Sequence, residues 1–179
     1  MNIIIPLGGL GSRFSNEGFI KPKPLIKVFE KEMLFQLIDN LNYKKEDHIY
    51  IIYNKRLDDH NFYNIINEKY PFINLIKLNK DTSGASETLM IGLNYILDKL
   101  EYNLKCMILD CDLFYSQDVV SKFRNINNNA VFYTKKEDEK PVFSYIRMDN
   151  NNIIKEIIEK KKISNNANTG AYCFNNIKE

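Results

Sequence analysis

The hydrophobic positions of the first two thirds of the chain alternate between short apolar runs and helical stripes. Runs rich in β-branched residues predict strands. These strands cover residues 2–7, 48–53, 72–78 and 104–109. Apolar residues at helical spacing predict helices over residues 31–41, 58–70, 86–100 and 117–123. The helix over 86–100 is expected to bury Leu89, Met90, Leu93, Ile96, Leu97 and Leu100. Alternation of strand and helix predicts a parallel sheet with right-handed crossovers.

The pattern changes in the last third of the chain, where short strand-like runs are separated by Asn-rich turns. Strands are predicted over residues 130–134, 142–148, 153–159 and 171–174. We therefore expect an α/β fold whose mixed, mostly parallel sheet gains antiparallel strands from this third. Neither a linker nor a repeat divides the chain, so residues 1–179 are expected to form one domain.

Composition narrows the function classes. The 179 residues are 44% hydrophobic and 27% charged, which is enough for a globular core. A net charge of +2 does not favour binding to nucleic acid. Cys106, Cys111 and Cys173 are too scattered for a disulfide framework, and two His exclude a His-rich metal site.

The chain shows neither a signal sequence nor a membrane span. Residues 1–6 lack a basic region, and their apolar run is short. No run approaches the roughly 18 apolar residues of a spanning helix. We therefore expect a soluble cytoplasmic protein without a membrane partner, and homo-oligomerisation is compatible with the sequence.

A glycine-rich loop over residues 8–24 follows the first strand, beginning Leu7-Gly8-Gly9-Leu10-Gly11-Ser12-Arg13-Phe14. Glycines let backbone N–H groups approach a phosphate closely, and an Arg fork binds phosphate oxygens. Arg occurs at only four positions of this Lys-rich chain, so an Arg beside glycines favours a role for its fork geometry. The loop is neither a dinucleotide fingerprint, since Phe14 replaces the third glycine, nor a Walker A loop.

The segment Lys21-Pro22-Lys23-Pro24-Leu25 follows, and its prolines stiffen the backbone around Lys23. Together, GGxGSRF and KPKPL resemble the signature of the nucleotidyltransferase superfamily, the sugar-phosphate pyrophosphorylase-like enzymes. The resemblance implies a three-layer, Rossmann-like fold of the GT-A type. It also implies that an NTP is bound by Leu7, Gly8, Gly9, Gly11, Ser12, Arg13 and Lys23. In this family the glycines and the Arg wrap the triphosphate, and the Lys neutralises charge at the reacting phosphate.

Ser83, Gly84 and Ala85 resemble the family segment whose backbone lies against the nucleotide base. From local chemistry alone, Ser83 is also expected to cap the following helix, with Glu87 in its first turn.

Asp110 and Asp112 end the fourth predicted strand, and two carboxylates there should face water or a cation. Oxygen ligands beside a triphosphate suit Mg²⁺. Asp112 matches the family's metal-binding Asp, whereas Asp110 departs from it and creates a D-x-D pattern that also resembles GT-A glycosyltransferases. Cys111 between them is expected to be buried and inert.

The β-rich third resembles the acceptor half of the same family. Glu159 and Lys160 take the place of its Glu-Lys pair, and Asn168, Thr169 and Gly170 resemble its acceptor-pocket strand. Ser144 replaces a common Gly, which favours a nonstandard acceptor. We expect residues 1–125 to bind the nucleotide and residues 126–179 to form an acceptor half that is incomplete. Either the chain is truncated before a later Asp that completes the family's metal site, or Asp110 takes over that ligand.

The resemblance implies transfer of an NMP from CTP, UTP or dTTP to a phosphorylated small metabolite. Arg13, Lys23 and Asp112 would be catalytic, and pyrophosphate would leave. Such products are activated sugars or CDP-linked precursors for cell-surface polysaccharide. The sequence does not decide whether the acceptor is a sugar phosphate or a non-sugar phosphate such as phosphocholine or a phosphorylated amino acid. A GT-A glycosyltransferase and a non-catalytic nucleotide-sensing module are the alternatives.

Overall fold

The computed structural model describes residues 1–9, 11–95, 97, 104–137 and 140–177. Its strands are β1 Asn2–Leu7, β2 Lys27–Val28, β3 Lys31–Glu32, β4 His48–Asn54, β5 Asn74–Leu78, β6 Cys106–Leu109, β7 Ala130–Lys135, β8 Ser144–Met148, β9 Ile154–Glu159 and β10 Asn166–Phe174. Its α-helices are α1 Ser12–Asn16, α2 Met33–Asn40, α3 Phe62–Lys69, α4 Ala85–Asn94 and α5 Val119–Arg124. 3-10 helices cover Lys23–Leu25 and Lys55–His60.

The described strands other than β2 and β3 form one mixed sheet. Strands β5, β4, β1 and β6 lie side by side in that order and run parallel. Strand β10 pairs antiparallel with β6, β7 and β8, and β9 pairs with β8. The predicted α/β fold is confirmed, with parallel strands from the first two thirds and antiparallel strands from the last.

Both faces of β1, β4 and β6 are largely buried, which explains their nearly continuous apolar sequences. On one face, alternate residues of β1 such as Ile3 and Ile5 pack with α2, α3 and α5. On the other face, Ile4 packs in a smaller cluster with residues of α4. The sheet therefore lies between two helical layers.

Helix α4 corrects part of the predicted inward face, although Leu89 and Leu93 pack against the smaller cluster as predicted. Met90 is exposed, while Thr88 and Gly92 are buried. A Cβ at Gly92 would lie 2.5–2.7 Å from three side-chain atoms of Ile52, so only glycine fits where α4 approaches β4. Leu97 is also exposed, and the predicted inward residues Ile96 and Leu100 lie outside the described part of the chain.

The N-terminal part of the chain contains more regular secondary structure than predicted. The predicted loop over 8–24 contains α1 and the start of a 3-10 helix, and residues 31–32 form a strand rather than helix. Strands β2 and β3 make a hairpin with Phe29 and Glu30 at its tip, both at positive φ (50° and 65°). Gln36 fastens the hairpin to α2 by donating to the carbonyls of Val28 and Lys31.

The remaining boundaries shift by a few residues. The helix predicted over 58–70 is a 3-10 helix followed by α3, the strand predicted over 72–78 begins at Asn74, and the helix predicted over 117–123 is α5. The last strand begins at Asn166 instead of Ala171. No described helix has the length and hydropathy needed to cross a membrane.

Candidate active site

The loops that follow β1, β4, β5 and β6 leave the sheet at one edge, because these strands run parallel. Ligands of open α/β sheets bind at this edge. A cleft of about 270 Å³ lies there between the 9–24 segment and residues 54–60. Leu7 is buried at the end of β1, whereas Ser12 and Arg13 are exposed on α1.

Lys23 and Asp112 are in direct contact, although they are distant in sequence. The Lys23 Nζ lies 2.6 Å from the Asp112 Oδ2, with side chains 29% and 39% exposed. Lys23 begins a 3-10 helix whose Pro24 and Leu25 are buried, so its backbone is anchored while its ammonium reaches the site. Gly11 lies alongside, since a Cβ there would be 3.6 Å from the Lys23 Cβ.

The glycine loop also contacts the segment that precedes α4. A Cβ at Gly8 would overlap the Thr88 hydroxyl and lie 2.5 Å from the Thr82 Oγ1. These two hydroxyl oxygens are 2.7 Å apart, and Thr88 donates to the Gly84 carbonyl (2.9 Å). The contact requires glycine at position 8, and it places Ser83, Gly84 and Ala85 beside the glycine loop.

The start of α4 differs from the predicted cap. Gly84 is the N-cap residue, and it makes no side-chain cap bond. Instead, the backbone N–H and hydroxyl of Ser83 both donate to the Glu87 Oε2 at 2.7 Å. These hydrogen bonds lower the pKa of the Glu87 carboxyl. Glu87 thus holds Ser83 in place at the front of the helix.

Asp110 is less accessible than Asp112, which is exposed, and the expectation that the two carboxylates face water or a cation stays a prediction for Asp110. Its backbone N–H donates to the Gly170 carbonyl (3.0 Å), and a Cβ at Gly170 would overlap its carboxylate. Burial, followed by the Asp112 charge, raises the pKa of Asp110. Two close carboxylates of this kind can share a cation. No group of three or more metal-ligating side chains occurs in the described part of the chain.

Cys111 is buried between the two carboxylates. Burial raises the pKa of its thiol to about 12, so little thiolate forms at neutral pH. This agrees with the expectation of an inert side chain.

Strand β10 brings Asn168, Thr169 and Gly170 to the same neighbourhood. Its pairing with β7 shifts register between Asn168 and Tyr172, and Gly170 adopts a φ of 65°. The buried Asn168 accepts from the Gly170 N–H (2.9 Å), and the Thr169 carbonyl accepts from the Tyr115 hydroxyl (3.1 Å). These residues therefore lie next to Asp110.

Glu159 and Lys160 lie farther out, at the end of β9. Their side chains pair at 3.1 Å and are exposed, and Glu159 lies opposite Ser144 on β8. No described contact joins Lys160 to Lys23 or Asp112. Burial, followed by the charge of Asp110, raises the pKa of Tyr172, a residue of β10 that the sequence did not single out.

A second group of residues missed by the sequence pattern is Asn54, Arg56 and Asp81. The Asn54 Nδ2 donates to the Asp81 Oδ1 (2.9 Å), and the Arg56 Nη2 lies 2.5 Å from the Asp81 Oδ2. Asn54 and Arg56 also line the cleft. The scarcity of Arg in this chain is the signal that could have drawn attention to Arg56.

Comparison with known proteins gives a consistent result. A family model for nucleotidyl transferases matches residues 2–177. A nucleoside-diphosphate-sugar pyrophosphorylase from Vibrio cholerae RC9 aligns with a TM-score of 0.78 and 18% identity, over 98% of this chain and 74% of that one. A Bacillus anthracis protein described as a glucose-1-phosphate thymidylyltransferase, solved with a sucrose, aligns at 0.77 and 23%, over 97% and 71%. No significant match occurs among curated protein sequences. At these identities the structural matches support the fold.

Proposed function

Because the chain belongs to the nucleotidyl transferase family, we propose that it transfers an NMP from an NTP to a phosphorylated small metabolite and releases pyrophosphate. CTP, UTP and dTTP are the proposed donors. The product would be a nucleotide-activated sugar, or a CDP-linked precursor if the acceptor is a non-sugar phosphate. Cell-surface polysaccharide synthesis would consume such a product.

The contact between Lys23 and Asp112 is the observation that carries this proposal. It joins the KPKPL segment to the carboxylates at the end of β6 over 2.6 Å. A cation and a carboxylate at one point suit a reaction in which phosphate groups and a divalent metal ion must meet.

The acceptor supplies the nucleophile in this reaction. A phosphate monoester carries roughly −1.5 to −2 charges at pH 7, so it attacks without a general base. Its oxygen forms a bond to the α-phosphorus of the NTP. The bond from that phosphorus to the bridging oxygen breaks, and the electron pair leaves with pyrophosphate. The protein has to align two polyanions and neutralise their charge.

The proposed roles follow the placement of the side chains. The backbone at Gly8, Gly9 and Gly11 cradles the triphosphate, and Arg13 holds the β- and γ-phosphates. Lys23 leaves Asp112 to neutralise the α-phosphate. Ser83, Gly84 and Ala85 lie against the base, beside the glycine loop.

Asp112 and Asp110 would hold the magnesium ion. Burial, followed by the charge of Asp112, raises the pKa of Asp110, and a bound cation would relieve the repulsion between the two carboxylates. Two carboxylates with phosphate oxygens and waters make a ligand set that Mg²⁺ accepts. When bound, the ion would neutralise phosphate charge.

The acceptor would lie on the β10 side of the site. Asn168, Thr169 and Gly170 adjoin Asp110, and the exposed Lys160 beside Glu159 would attract its phosphate. Ser144, opposite Glu159, supports an acceptor other than the common sugar phosphates.

A pyrophosphate-release screen tests the proposal. CTP, UTP, GTP and dTTP are paired with sugar 1-phosphates, phosphocholine and phosphorylated amino acids in the presence of Mg²⁺. Lys23→Ala should cut turnover much more than it weakens nucleotide binding. Lys27→Ala, which removes a nearby exposed Lys paired with Glu32 at 4.0 Å, is the matched control. Equal losses of turnover and binding, or none, would contradict the role of Lys23.

The same screen, extended to NDP-sugar donors, separates the alternatives. Transfer from an NDP-sugar without pyrophosphate release would identify a glycosyltransferase, which the D-x-D pattern favours. Nucleotide binding with no turnover on any acceptor would identify a nucleotide-sensing module.

A further inference from the structure

The cleft beside the glycine loop carries positive charge on both of its chain segments. The 9–24 segment contributes Lys21 and Lys23, and the segment after β4 contributes Arg56. Asp59 is the acidic residue among the lining side chains of the described chain. Such a lining suits a polyanionic ligand.

Arg56 projects from a rigid base. Its backbone N–H donates to the Oδ1 of Asn54 (3.0 Å), and Asn54 is buried at the end of β4. The same amide donates to Asp81 through its Nδ2 (2.9 Å). Asn54 therefore fixes both the start of the Arg56 side chain and the carboxylate that faces it.

The guanidinium keeps donors free for a ligand. Among the described residues, only its Nη2 is engaged, by the Asp81 Oδ2, and the side chain is 58% exposed. A guanidinium has five N–H donors in a planar fork that matches phosphate oxygens. Arg56 thus combines an anchored backbone with an exposed, partly unused fork.

The other Arg residues of the chain differ in this respect. Arg124 pairs with the buried Asp47, and Arg147 pairs with Glu156 on the neighbouring strand. Arg13 belongs to the glycine loop. Because Lys is the common cation of this chain, an exposed Arg in the cleft suggests a need for the fork rather than for charge alone.

We propose that Arg56 binds the phosphate chain of the nucleotide from the β4 side of the cleft, and that Asp81 holds the guanidinium in place until the triphosphate arrives. This inference rests on the proposed function and adds a substrate-contacting residue to it. Asp81 is the partner of the guanidinium in the absence of nucleotide, and the phosphate oxygens replace its charge, much as they would replace Asp112 at Lys23.

Nucleotide titrations by calorimetry test the assignment on the full chain. The probes are the mono-, di- and triphosphates of cytidine, uridine, thymidine and guanosine. Arg56→Gln should weaken triphosphate binding by about 10- to 100-fold and monophosphate binding by less than about 3-fold. Arg56→Lys should recover part of the loss. Arg147→Gln is the matched control, because that residue is 60% exposed in a similar pair and should leave every affinity unchanged.

Asp81→Asn distinguishes direct phosphate binding by Arg56 from a purely structural role of the Arg56–Asp81 pair. Without the competing carboxylate charge, this variant should bind triphosphate at least as tightly as the wild type. The inference is overturned if Asp81→Asn loses as much triphosphate affinity as Arg56→Gln, or if Arg56→Gln weakens all three phosphate states equally or none. If the wild type binds no nucleotide, the proposed function fails as well. If the wild type binds and Arg56→Gln binds equally well, only this inference fails.

Discussion

Gly170→Ala is expected to destabilise the protein through two separable effects. Gly170 lies in the irregular part of β10 with a φ of 65°, a conformation that costs an L-residue about 1–2 kcal/mol. The new Cβ would also overlap the Asp110 carboxylate and lie 2.8 Å from the Leu113 Cδ1. Crowding of this kind in a packed region costs about 1–3 kcal/mol. The two effects together predict a loss of about 2–5 kcal/mol.

Gly18→Ala isolates the first effect. Gly18 has a φ of 85°, and a Cβ there would meet nothing within 4 Å. The free energy of unfolding of this variant should therefore fall by the conformational cost alone, about 1–2 kcal/mol. The difference between the two variants measures the contact with Asp110 and Leu113.

Urea unfolding followed by circular dichroism is the assay, with the midpoint and slope compared across variants. Asp110→Ala, alone and combined with Gly170→Ala, completes a double-mutant cycle. Removing the carboxylate should recover part of the Gly170→Ala loss. Equal losses for Gly170→Ala and Gly18→Ala, or a cycle with no coupling, would refute the close contact between Gly170 and Asp110.

Three further predictions concern stability. Glu30→Gly should raise the free energy of unfolding by about 1 kcal/mol, because the hairpin tip holds Glu30 at a φ of 65°, and an unchanged urea midpoint would contradict this. Lys105→Met should lower the free energy of unfolding by about 1–3 kcal/mol in the same assay, because the Lys105 Nζ donates to three carbonyls at the end of α5 at 2.5–3.3 Å. An unchanged free energy of unfolding would show that these hydrogen bonds do not stabilise the fold. Burial alone would raise the pKa of Asp39, but hydrogen bonds from Lys31 and Tyr70 hold it below its usual 3.8. The stabilisation by the charged Asp39 is complete above the pKa of the unfolded state and is lost as the pH falls through the pKa of the folded state. Asp39→Asn should therefore flatten the decline of the urea midpoint between about pH 5 and 3. An unchanged decline would contradict this role of Asp39.

Sequence patterns identified the elements with the simplest surroundings. Strands β1 and β4 are buried on both faces, so their apolar runs mark them clearly. The inward face of α4 was wrong at Met90, because the residues that this helix buries include Thr88 and Gly92, which an apolar pattern does not mark. The start of β10 was missed because its first residues are mainly polar and carry no alternation.

The residues of the candidate site also differ in how clearly the sequence marks them. Lys23 and Asp112 were found because each stands in a short motif, and the fold brings them into contact. Arg56 and Asp81 belong to no local motif, since only the parallel pairing of β4 and β5 places their loops side by side. The turn at Phe29 and Glu30 lacks the Gly or Asn that such hairpins favour, so the sequence did not reveal it.

The pairing of β10 with β6 has a consequence for the order in which the protein is made. On the ribosome, β1, β4, β5 and β6 emerge first, but residues 106–109 of β6 find their second neighbour only when residues 171–174 have been synthesised. Until then the edge next to Asp110 stays open on a nascent chain. Long-range pairing of this kind folds slowly and leaves an unpaired strand exposed to aggregation. The pairing of β10 with β6 would then also be the step that assembles the site around Asp110 and Gly170.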